Sequence, residues 1–318
     1  MTPTQLRAFA AVVRLGSVKG AAAELTVSEA AVSMHVAQLR RELGDQLFTR
    51  TAAGLAFTPG GLRLASRASE MLGLADRTVR EVSQASQGRR LLRIAASSLF
   101  AEHAAPGLIE LFASRADDLD MELSVHDPSQ FAQLLHARVV DVAIGPHAPH
   151  LDDTLVQKPF LKYRVIGVVG PEHPLAKLHP GLGQLREQTW LLGPSAVVAA
   201  GSMPALVRRI NPPEDRQRIF QSHAAALEEA TRNSGVALAV SYAVNADLAE
   251  GRLVRVASTL LQADGSWSTQ ILPEPSALPA AAELTRFIST PRATQAMLRG
   301  PGVNVGRFRP SIHVTLWS

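Results

Sequence analysis

Residues 18–43 carry two short helical patterns of hydrophobic residues, separated by a turn at residues 26–28. Ser28 is suited to cap the second helix at its N-terminus, and Gly44 is suited to the left-handed conformation that ends many helices. The apolar residues of the second pattern recur at intervals of four, three and four, at Val32, Val36, Leu39 and Leu43. Together the two patterns predict a pair of helices joined by a tight turn.

The face opposite that apolar stripe is small and nearly uncharged at its start and basic at its end. Small outward side chains allow a helix to enter the DNA major groove, about 12 Å wide, with its N-terminal residues near base edges. The two arginines at the end would then meet phosphates. The alternative is an ordinary helical hairpin packed in a core, because two short helices and a turn are common. The residues on the candidate DNA-facing side are Ser28, Glu29, Ala30, Ser33, Met34, Ala37, Arg40 and Arg41.

Three further patterns surround this pair. Residues 4–15 predict a helix that packs beneath it, and residues 50–57 predict a short β-ribbon that turns at Ala53-Gly54. Thr58-Pro59 opens a long helix, because proline is suited to the first helical position. That helix runs to about residue 87, which corresponds to about 29 residues and a length of about 43 Å.

The long helix carries a stripe of small and aliphatic residues at alternating intervals of three and four. This spacing is a heptad seam and predicts dimerisation through a partner helix. The alternative is a helix packed against its own domain. The seam residues are Ala65, Ala68, Leu72, Ala75, Val79 and Val82.

Beyond a hinge expected at residues 88–90, the pattern changes to alternating strands and helices. Strands at 92–96, 122–126 and 139–144 alternate with helices at 106–115 and 130–137. This βαβαβ order predicts a parallel sheet with right-handed crossovers. A second set comprises strands at 164–169, 189–192, 218–221 and 236–240 and helices at 203–210 and 224–233. The chain then returns through a strand at 269–272 to a helix near 280–289, which predicts two lobes with a cleft between them.

Hydroxyl side chains follow several of these strands, at the start of the next helix. Clefts at the carboxyl ends of parallel strands bind small ligands, and free N–H groups at such junctions favour anions. The alternative for each serine is a simple N-cap. The candidate ligand contacts are Ser97, Ser98, Ser129, Gln130, Ser195, Ser222 and His223.

Composition narrows the class of protein. The chain has 318 residues, of which 46% are hydrophobic and 19% charged, as expected of a globular protein with two or three domains. It contains no cysteine, which excludes disulfides and thiolate metal sites. We find no apolar run of ~18 residues and no signal-peptide pattern, so we expect no membrane helix and a cytoplasmic protein.

The positive charge is concentrated near the N-terminus. Residues 1–90 hold 12 Lys/Arg and 7 Asp/Glu, whereas the remaining residues hold 20 and 21. A polyanion would therefore bind the N-terminal part. This excess agrees with the interpretation of the two helices and their turn as a DNA-binding unit.

The N-terminal stretch closely resembles the signature of LysR-type transcriptional regulators, with matching spacing and no gap. The residues that carry the resemblance are Ala22-Ala23, Leu25, Ser28, Ala31, Ser33, Leu39, Leu43-Gly44, Leu47-Phe48, Arg50, Thr58-Pro59 and Gly61. The later region resembles the effector-binding domain of that family in layout, with weak motifs at 164–176 and 226–256. That domain is itself similar to periplasmic solute-binding proteins.

The resemblance implies an α/β protein of several parts. These are a winged helix-turn-helix domain at 1–58, which is mainly α, a coiled-coil linker helix at 59–88, a two-lobed periplasmic-binding-protein-like domain at 89–300 and a tail at 301–318. Lobe 1 would comprise about 91–161 and 267–300, and lobe 2 about 162–266. The tail lies beyond the end expected for the family, and its alternating residues predict a strand.

The resemblance also implies a function. The protein would be a sequence-specific regulator that binds double-stranded promoter DNA under the control of a small-molecule effector, often a carboxylate in this family. It would form a homodimer or a homotetramer, and effector binding would change the spacing of its DNA-binding heads and its contact with RNA polymerase. The ribbon would lie beside the minor groove, with Arg50 on a phosphate; the alternative is a plain surface arginine.

Three positions on the candidate recognition helix depart from the family pattern. Glu29 stands where glutamine is common, Ala30 where proline or serine is common, and Met34 where arginine or another polar residue is common. Glutamate accepts a hydrogen bond from cytosine N4, and methionine can contact a thymine methyl group. We expect these three residues to bear on which bases are read.

Two other classes of protein remain as alternatives. One is a ligand-binding protein whose N-terminal helices serve only for assembly, and the other is an enzyme that uses the cleft. We find no nucleophile motif, no nucleotide motif and no cofactor motif, so we expect neither catalysis nor a cofactor. His147 and His150 form a weak candidate metal pair, because no acidic or thiol partner lies at a fixed spacing.

Overall fold

The computed structural model describes residues 1–51, 54–85, 88–147, 152–199 and 201–298, with the side chains of these residues except 50, 51, 54, 66, 80, 81 and 83–85. The chain divides into two compact units. Residues 1–87 and 136–139 form the first unit, and the second begins at Gly88. The predicted tail strand, the turn position Ala53 and His150 lie outside the described residues.

The first unit contains a helix-turn-helix followed by a ribbon and a long helix. Its elements are α1 (Pro3–Leu15), α2 (Val18–Leu25), α3 (Glu29–Leu43), β1 (Phe48–Thr51), β2 (Gly54–Phe57) and α4 (Pro59–Ala85). Ser17 and Ser28 cap α2 and α3 with their hydroxyls, and Gly44 ends α3 in the left-handed region with φ of 64°. β1 and β2 pair in an antiparallel ribbon. These predicted elements are confirmed within the described residues.

The core of the first unit lies between α1, α3 and the start of α4. Phe9, Val32 and Leu39 are fully buried there, and Leu47 and Phe48 anchor the ribbon against them. The predicted apolar stripe of α3 was wrong at its last position. Leu43 is 44% exposed, because it is the final residue of the helix, where the chain leaves the core.

A hydrogen-bonded junction fixes the start of α4. One carboxylate oxygen of Asp45 accepts from the backbone N–H of Leu47 and from the hydroxyl of Thr58, both at 2.6 Å. The Thr58 hydroxyl in turn accepts from the N–H of Gly61 at 2.9 Å. The bonds from Thr58 and Leu47 lower the pKa of Asp45. The junction therefore ties the loop after α3 to the first turn of α4.

The second unit is built on one mixed sheet with helices on its faces. The strands are β3 (Arg90–Ala96), β4 (Leu119–Val125), β5 (Val142–Pro146), β6 (Val156–Val169), β7 (Trp190–Leu192), β8 (Gln217–Ile219), β9 (Val236–Val240), β10 (Val254–Arg255) and β11 (Gln262–Ile271). The helices are α5 (Ser98–His103), α6 (Ala105–Ala113), α7 (Phe131–His136), α8 (Leu182–Arg186), α9 (Ser202–Ile210), α10 (His223–Thr231), α11 (Asn245–Ala249), α12 (Pro279–Phe287) and α13 (Pro291–Leu298). The sheet order is β4-β3-β5-β11-β6-β9-β7-β8, and β10 pairs with β6.

Each end of this sheet is parallel, as the βαβαβ pattern predicts. β3 pairs in parallel with β4 and β5, and β7 pairs in parallel with β8 and β9. The middle is antiparallel, because β6 and β11 pair with each other over residues 156–166 and 262–271. These two strands are longer than the predicted 164–169 and 269–272. The first half of β6 contains polar residues and is largely exposed, so the hydrophobic pattern does not indicate a strand there.

β6 and β11 carry the chain between the two lobes. Residues 267–270 of β11 pair with β5 in the first lobe, and residues 165–168 of β6 pair with β9 in the second. The β6–β11 register shifts between Trp267 and Ser268, so an irregularity lies where the strands pass between lobes. The cleft residues described below therefore come from both lobes of one sheet.

Candidate DNA-binding surface and ligand cleft

The predicted DNA-facing residues of α3 form one exposed face. Glu29, Ala30, Ser33, Ala37 and Arg41 are exposed, opposite the buried stripe of that helix. Met34 is 50% exposed, which is a large fraction for an apolar side chain. Ser28 uses its hydroxyl to accept from Ala31 N–H at 3.2 Å, so its side chain serves the helix. The face has no role in the core of the first unit.

Arg40 differs from the rest of the predicted set. A terminal nitrogen of its guanidinium donates to the carbonyl oxygen of Phe48 at 2.7 Å, and the guanidinium carbon lies 4.7 Å from the centroid of the Phe48 ring. These contacts hold α3 against the ribbon. Arg50 lies in β1 opposite Leu55, and its side chain is outside the described atoms, so its phosphate contact stays a prediction.

The predicted seam on α4 divides into two parts. Ala68 is fully buried, and Ala65 and Leu72 pack against the core of the first unit, as expected for a helix packed on its own domain. Arg7 on α1 adds an ion pair to Asp76 on α4 at 2.9 Å. Further along, Ala75, Met71, Leu74, Val79 and Val82 are exposed, with Val79 at 70% and Val82 at 67%. The second part is therefore an exposed apolar strip.

A small pocket lies between the lobes of the second unit. Its free space is about 10 Å³, which is room for a single water molecule. Within the described chain, hydroxyl and apolar side chains line it, without a charged side chain. The lining residues are Ser97, Leu99, Pro128, Pro146, Tyr163, Ser195, Val198, Gly201, Ser202, Met203 and Pro204.

Two of the predicted serines, Ser97 and Ser195, line this pocket, and a third, Ser98, contacts Ser195 beside it. Ser98 Oγ lies 2.8 Å from Ser195 Oγ, and the N–H of Leu99 donates to Ser195 Oγ at 3.3 Å. Ser97 is buried, and its hydroxyl has no hydrogen-bond partner among the described atoms. A buried hydroxyl without a partner is costly, and a ligand or a water molecule would relieve that cost.

Other predicted residues serve the helices instead. The hydroxyl of Ser129 donates to Asp127 Oδ1 at 2.7 Å, and both Ser129 and Gln130 are exposed. Ser222 caps α10 by accepting from Ala225 N–H at 3.1 Å. Ser222 is thus an N-cap, as the capping alternative predicts. Ser129 is not: it lies within the 3-10 helix Pro128–Gln130, whose N-cap is Asp127, and its hydroxyl bonds to that cap.

His223 is buried beside the pocket, with Nε2 accepting from the backbone N–H of Ser195 at 3.2 Å. Burial is the main cause that lowers the pKa of His223 to about 3, and the neighbouring His103 contributes. The ring centroids of the two histidines lie 6.3 Å apart, and burial lowers the pKa of His103 as well. His223 is therefore neutral near neutral pH.

Sequence reasoning missed Glu102, which lies next to this site. Its two carboxylate oxygens accept from the backbone N–H groups of His223 and Ala224, each at 3.0 Å. Burial raises the pKa of Glu102, and the two backbone bonds act in the opposite direction. Glu102 and these partners are more than 120 residues apart, so no local pattern could indicate the contact.

An aromatic floor under the pocket was also missed. Tyr163 lines the pocket and stacks on Trp267, with ring centroids 4.3 Å apart. Burial raises the pKa of Tyr163, and it raises the pKa of Tyr242 to about 12. The predicted strands at 164–169 and 269–272 include neither Tyr163 nor Trp267, so no sequence pattern indicated this contact.

Two family models match the chain. The model described as bacterial regulatory helix-turn-helix protein, lysR family, matches residues 3–62, and the LysR substrate binding domain matches residues 85–290. An uncharacterized HTH-type transcriptional regulator of Mycobacterium tuberculosis is 60% identical, with both chains fully covered. CysB of Haemophilus influenzae is 35% identical over 55% of each chain.

Solved structures share the fold at low identity. ArgP from Mycobacterium tuberculosis aligns with a TM-score of 0.60 and 21% identity, covering 95% of this chain and 98% of that one. Full-length CbnR in complex with its target DNA aligns with a TM-score of 0.56 and 18% identity, covering 94% and 99%.

The matched models and the full-length relative define the class: bacterial regulators with a helix-turn-helix DNA-binding domain and a separate effector-binding domain. The chain belongs to the LysR family of transcriptional regulators. In the described residues we find no helix long and apolar enough to cross a membrane.

Proposed function

We propose that this protein reads promoter DNA with the exposed face of α3 and that a small molecule bound between its two lobes controls this activity. The observation that carries the proposal is the exposure of this face, which does not pack against the core of the first unit. Glu29, Ala30, Ser33, Met34 and Ala37 are exposed together on the helix that follows the turn. Such a helix enters the major groove with its N-terminal residues at base edges.

The arginines of the first unit are assigned to phosphate contacts or to packing, and the base edges are left to the small side chains of α3. Arg41 is exposed at the end of α3 and is the phosphate contact on that helix, whereas Arg40 holds Phe48. Arg50 in the ribbon is a second phosphate contact, proposed on the family resemblance. Phosphate contacts fix orientation, and the base edges supply sequence information.

Self-association uses the exposed apolar strip on α4. Val79 and Val82 are too exposed for a stable isolated helix face, and a second copy of the same strip would cover them as a homodimer. A homotetramer would pair two such dimers. Promoter binding by the assembly in the cytoplasm then allows contact with RNA polymerase, and the protein acts without enzymatic turnover.

The effector is a small molecule, and the hydroxyl groups at the pocket are suited to bind a carboxylate. Ser97 offers a buried hydroxyl without a partner, and Ser98 and Ser195 offer two more that now satisfy each other. Hydroxyls and backbone N–H groups hold carboxylates without a cation. The present pocket holds about one water molecule, so an effector of any ordinary size requires the lobes to separate.

DNA selection with the full-length protein tests the proposal. Random-sequence duplexes are enriched over several rounds, and affinity for the selected site is then measured at several salt concentrations. We expect a defined sequence and an affinity that falls steeply with salt, with a shallower slope for Arg41→Ala. Selection that yields no preferred sequence would contradict sequence-specific binding. The selected duplex then serves to screen small carboxylates for a change in affinity.

A further inference from the structure

The two lobes of the second unit are joined by a direct carboxylate contact. Glu102 on α5, in the first lobe, accepts from the N–H groups of His223 and Ala224 on α10, in the second lobe, both at 3.0 Å. These donors are the first two of α10, where the helix dipole favours a negative charge. Hydrogen bonds to an ionised carboxylate are stronger than neutral ones. Glu102 therefore stabilises the approach of α5 to α10.

A second set of bonds links α5 to a 3-10 helix of the second lobe and, through it, to α10. Ser98 at the start of α5 meets Ser195 of the 3-10 helix Pro194–Ala196, with 2.8 Å between their hydroxyl oxygens. Leu99 N–H also donates to Ser195 Oγ, and Ser195 N–H donates to His223 Nε2 at 3.2 Å. The bonds thus run from Ser98 through Ser195 and His223 back to Glu102, and they span both lobes.

We propose that this set of contacts is an interlobe latch, with Glu102 as its carboxylate, which keeps the cleft closed against the effector. Ser98, Ser195 and Glu102 are each satisfied by the protein while the latch is closed. An effector of ordinary size enters only when α5 separates from Ser195 and α10. The latch therefore sets the free energy that effector binding must overcome, and a weaker latch gives a more open cleft.

This inference rests on the proposed effector cleft, but its test needs no effector. The chain contains no cysteine, so a pair can be introduced without removing native thiols. Ser98→Cys with Ser195→Cys in the full-length protein places two thiols where the hydroxyls now lie 2.8 Å apart. Sulfur atoms form a disulfide only when the lobes are closed, so the oxidation rate reports the closed fraction.

Glu102→Gln in this background tests the carboxylate. Its amide oxygen accepts one N–H, but its NH₂ group faces the other donor, so the side chain keeps its size and loses its pairing. We expect crosslinking to be roughly fivefold slower than in the double-cysteine parent. Glu110→Gln on α6 of the same lobe is the matched control and should crosslink at the parent rate. An equal rate in the Glu102→Gln protein, folded as judged by circular dichroism, would overturn the latch.

Hydrogen exchange separates a latch from a local helix cap in the chain without added cysteines. A cap alone predicts faster exchange in Glu102→Gln only at residues 223–225. A latch predicts faster exchange at residues 98–100 and 195–197 as well, because α5 and the second-lobe residues that it contacts become exposed together when the lobes separate. Ser195→Ala, which leaves Glu102 in place, should act in the same direction and provides the test if Glu102→Gln does not fold. Failure of both arms would leave the effector proposal standing, because neither uses an effector.

Discussion

Individual side chains of this protein take roles that residue type alone does not reveal. Arg40 and Arg41 are adjacent basic residues at the end of α3, yet the first packs on Phe48 and the second faces solvent. The serines show the same division. Ser97 is buried without a partner, whereas Ser222 is satisfied as a cap. The surroundings of each residue in the fold decide whether it can meet a ligand.

His223 makes stability depend on pH. Its folded pKa is about 3, and its ordinary value is 6.5, so the unfolded chain takes up a proton first as the pH falls. The stabilisation is complete above about pH 6.5 and is lost as the pH falls toward 3. When the pH falls from about 7.5 to about 5.5, this group alone should lower the free energy of unfolding by about 1 kcal/mol.

His223→Gln should remove that part of the pH dependence, because glutamine can accept from Ser195 N–H and does not titrate. Urea unfolding followed by the fluorescence of the buried Trp190 and Trp267 measures it. Histidines away from this pair contribute equally to both proteins, so the difference between them reports His223 together with its interaction with His103. A pH dependence unchanged by the substitution would contradict the assigned neutral state.

At the scale of elements, one glycine fixes how α4 meets the loop that precedes β1. A Cβ on Gly61 would lie 1.8 Å from the carbonyl oxygen of Leu47, so alanine requires the backbone to move. We expect Gly61→Ala to lower the stability of the first unit by about 2 kcal/mol. Gly20→Ala on α2 is the control, since its nearest contact would be 3.4 Å and alanine favours helix.

Circular dichroism during thermal unfolding measures the melting temperatures of the Gly61→Ala and Gly20→Ala proteins. The control should melt at or slightly above the temperature of the unmodified protein. Equal melting of Gly61→Ala and Gly20→Ala would show that the junction around Asp45 and Thr58 tolerates displacement.

The exposed strip on α4 gives a second prediction at this scale. Val79→Asp with Val82→Asp places two charges in the proposed dimer contact, so the mass in sedimentation should fall by about half relative to the unmodified protein. Leu62→Asp on the same helix is the control, since Leu62 is 59% exposed outside the predicted seam. An unmodified protein that sediments at 34.0 kDa would contradict self-association through α4.

The sequence predicted elements better than contacts. The caps at Ser17, Ser28 and Gly44 are local features, so the helices of the first unit could be placed closely. β6 and β11 were underestimated, because half of each strand is polar and its partner is about a hundred residues away. Glu102 was missed for the same reason, since a contact between lobes leaves no periodicity.

At the scale of the whole molecule, each unit has its own task. The first unit has an exposed helix face that does not pack against its core, and the second has a hydroxyl-lined pocket between two lobes. Family membership places a DNA-binding domain and an effector-binding domain in one chain, and the proposed latch would hold the second domain closed. We propose that movement of the lobes couples effector binding to DNA binding.

The most direct test of the central claim is the affinity of Met34→Asp for the selected duplex, measured by fluorescence anisotropy. A carboxylate at this exposed position faces the groove and repels phosphates, so we expect a loss of roughly 100-fold with the assembly state unchanged. Ser33→Arg should lose specificity similarly, and Leu178→Asp, at an exposed apolar position of the second unit, should bind normally. Unchanged affinity of Met34→Asp would contradict the assignment of α3 as the helix that reads DNA.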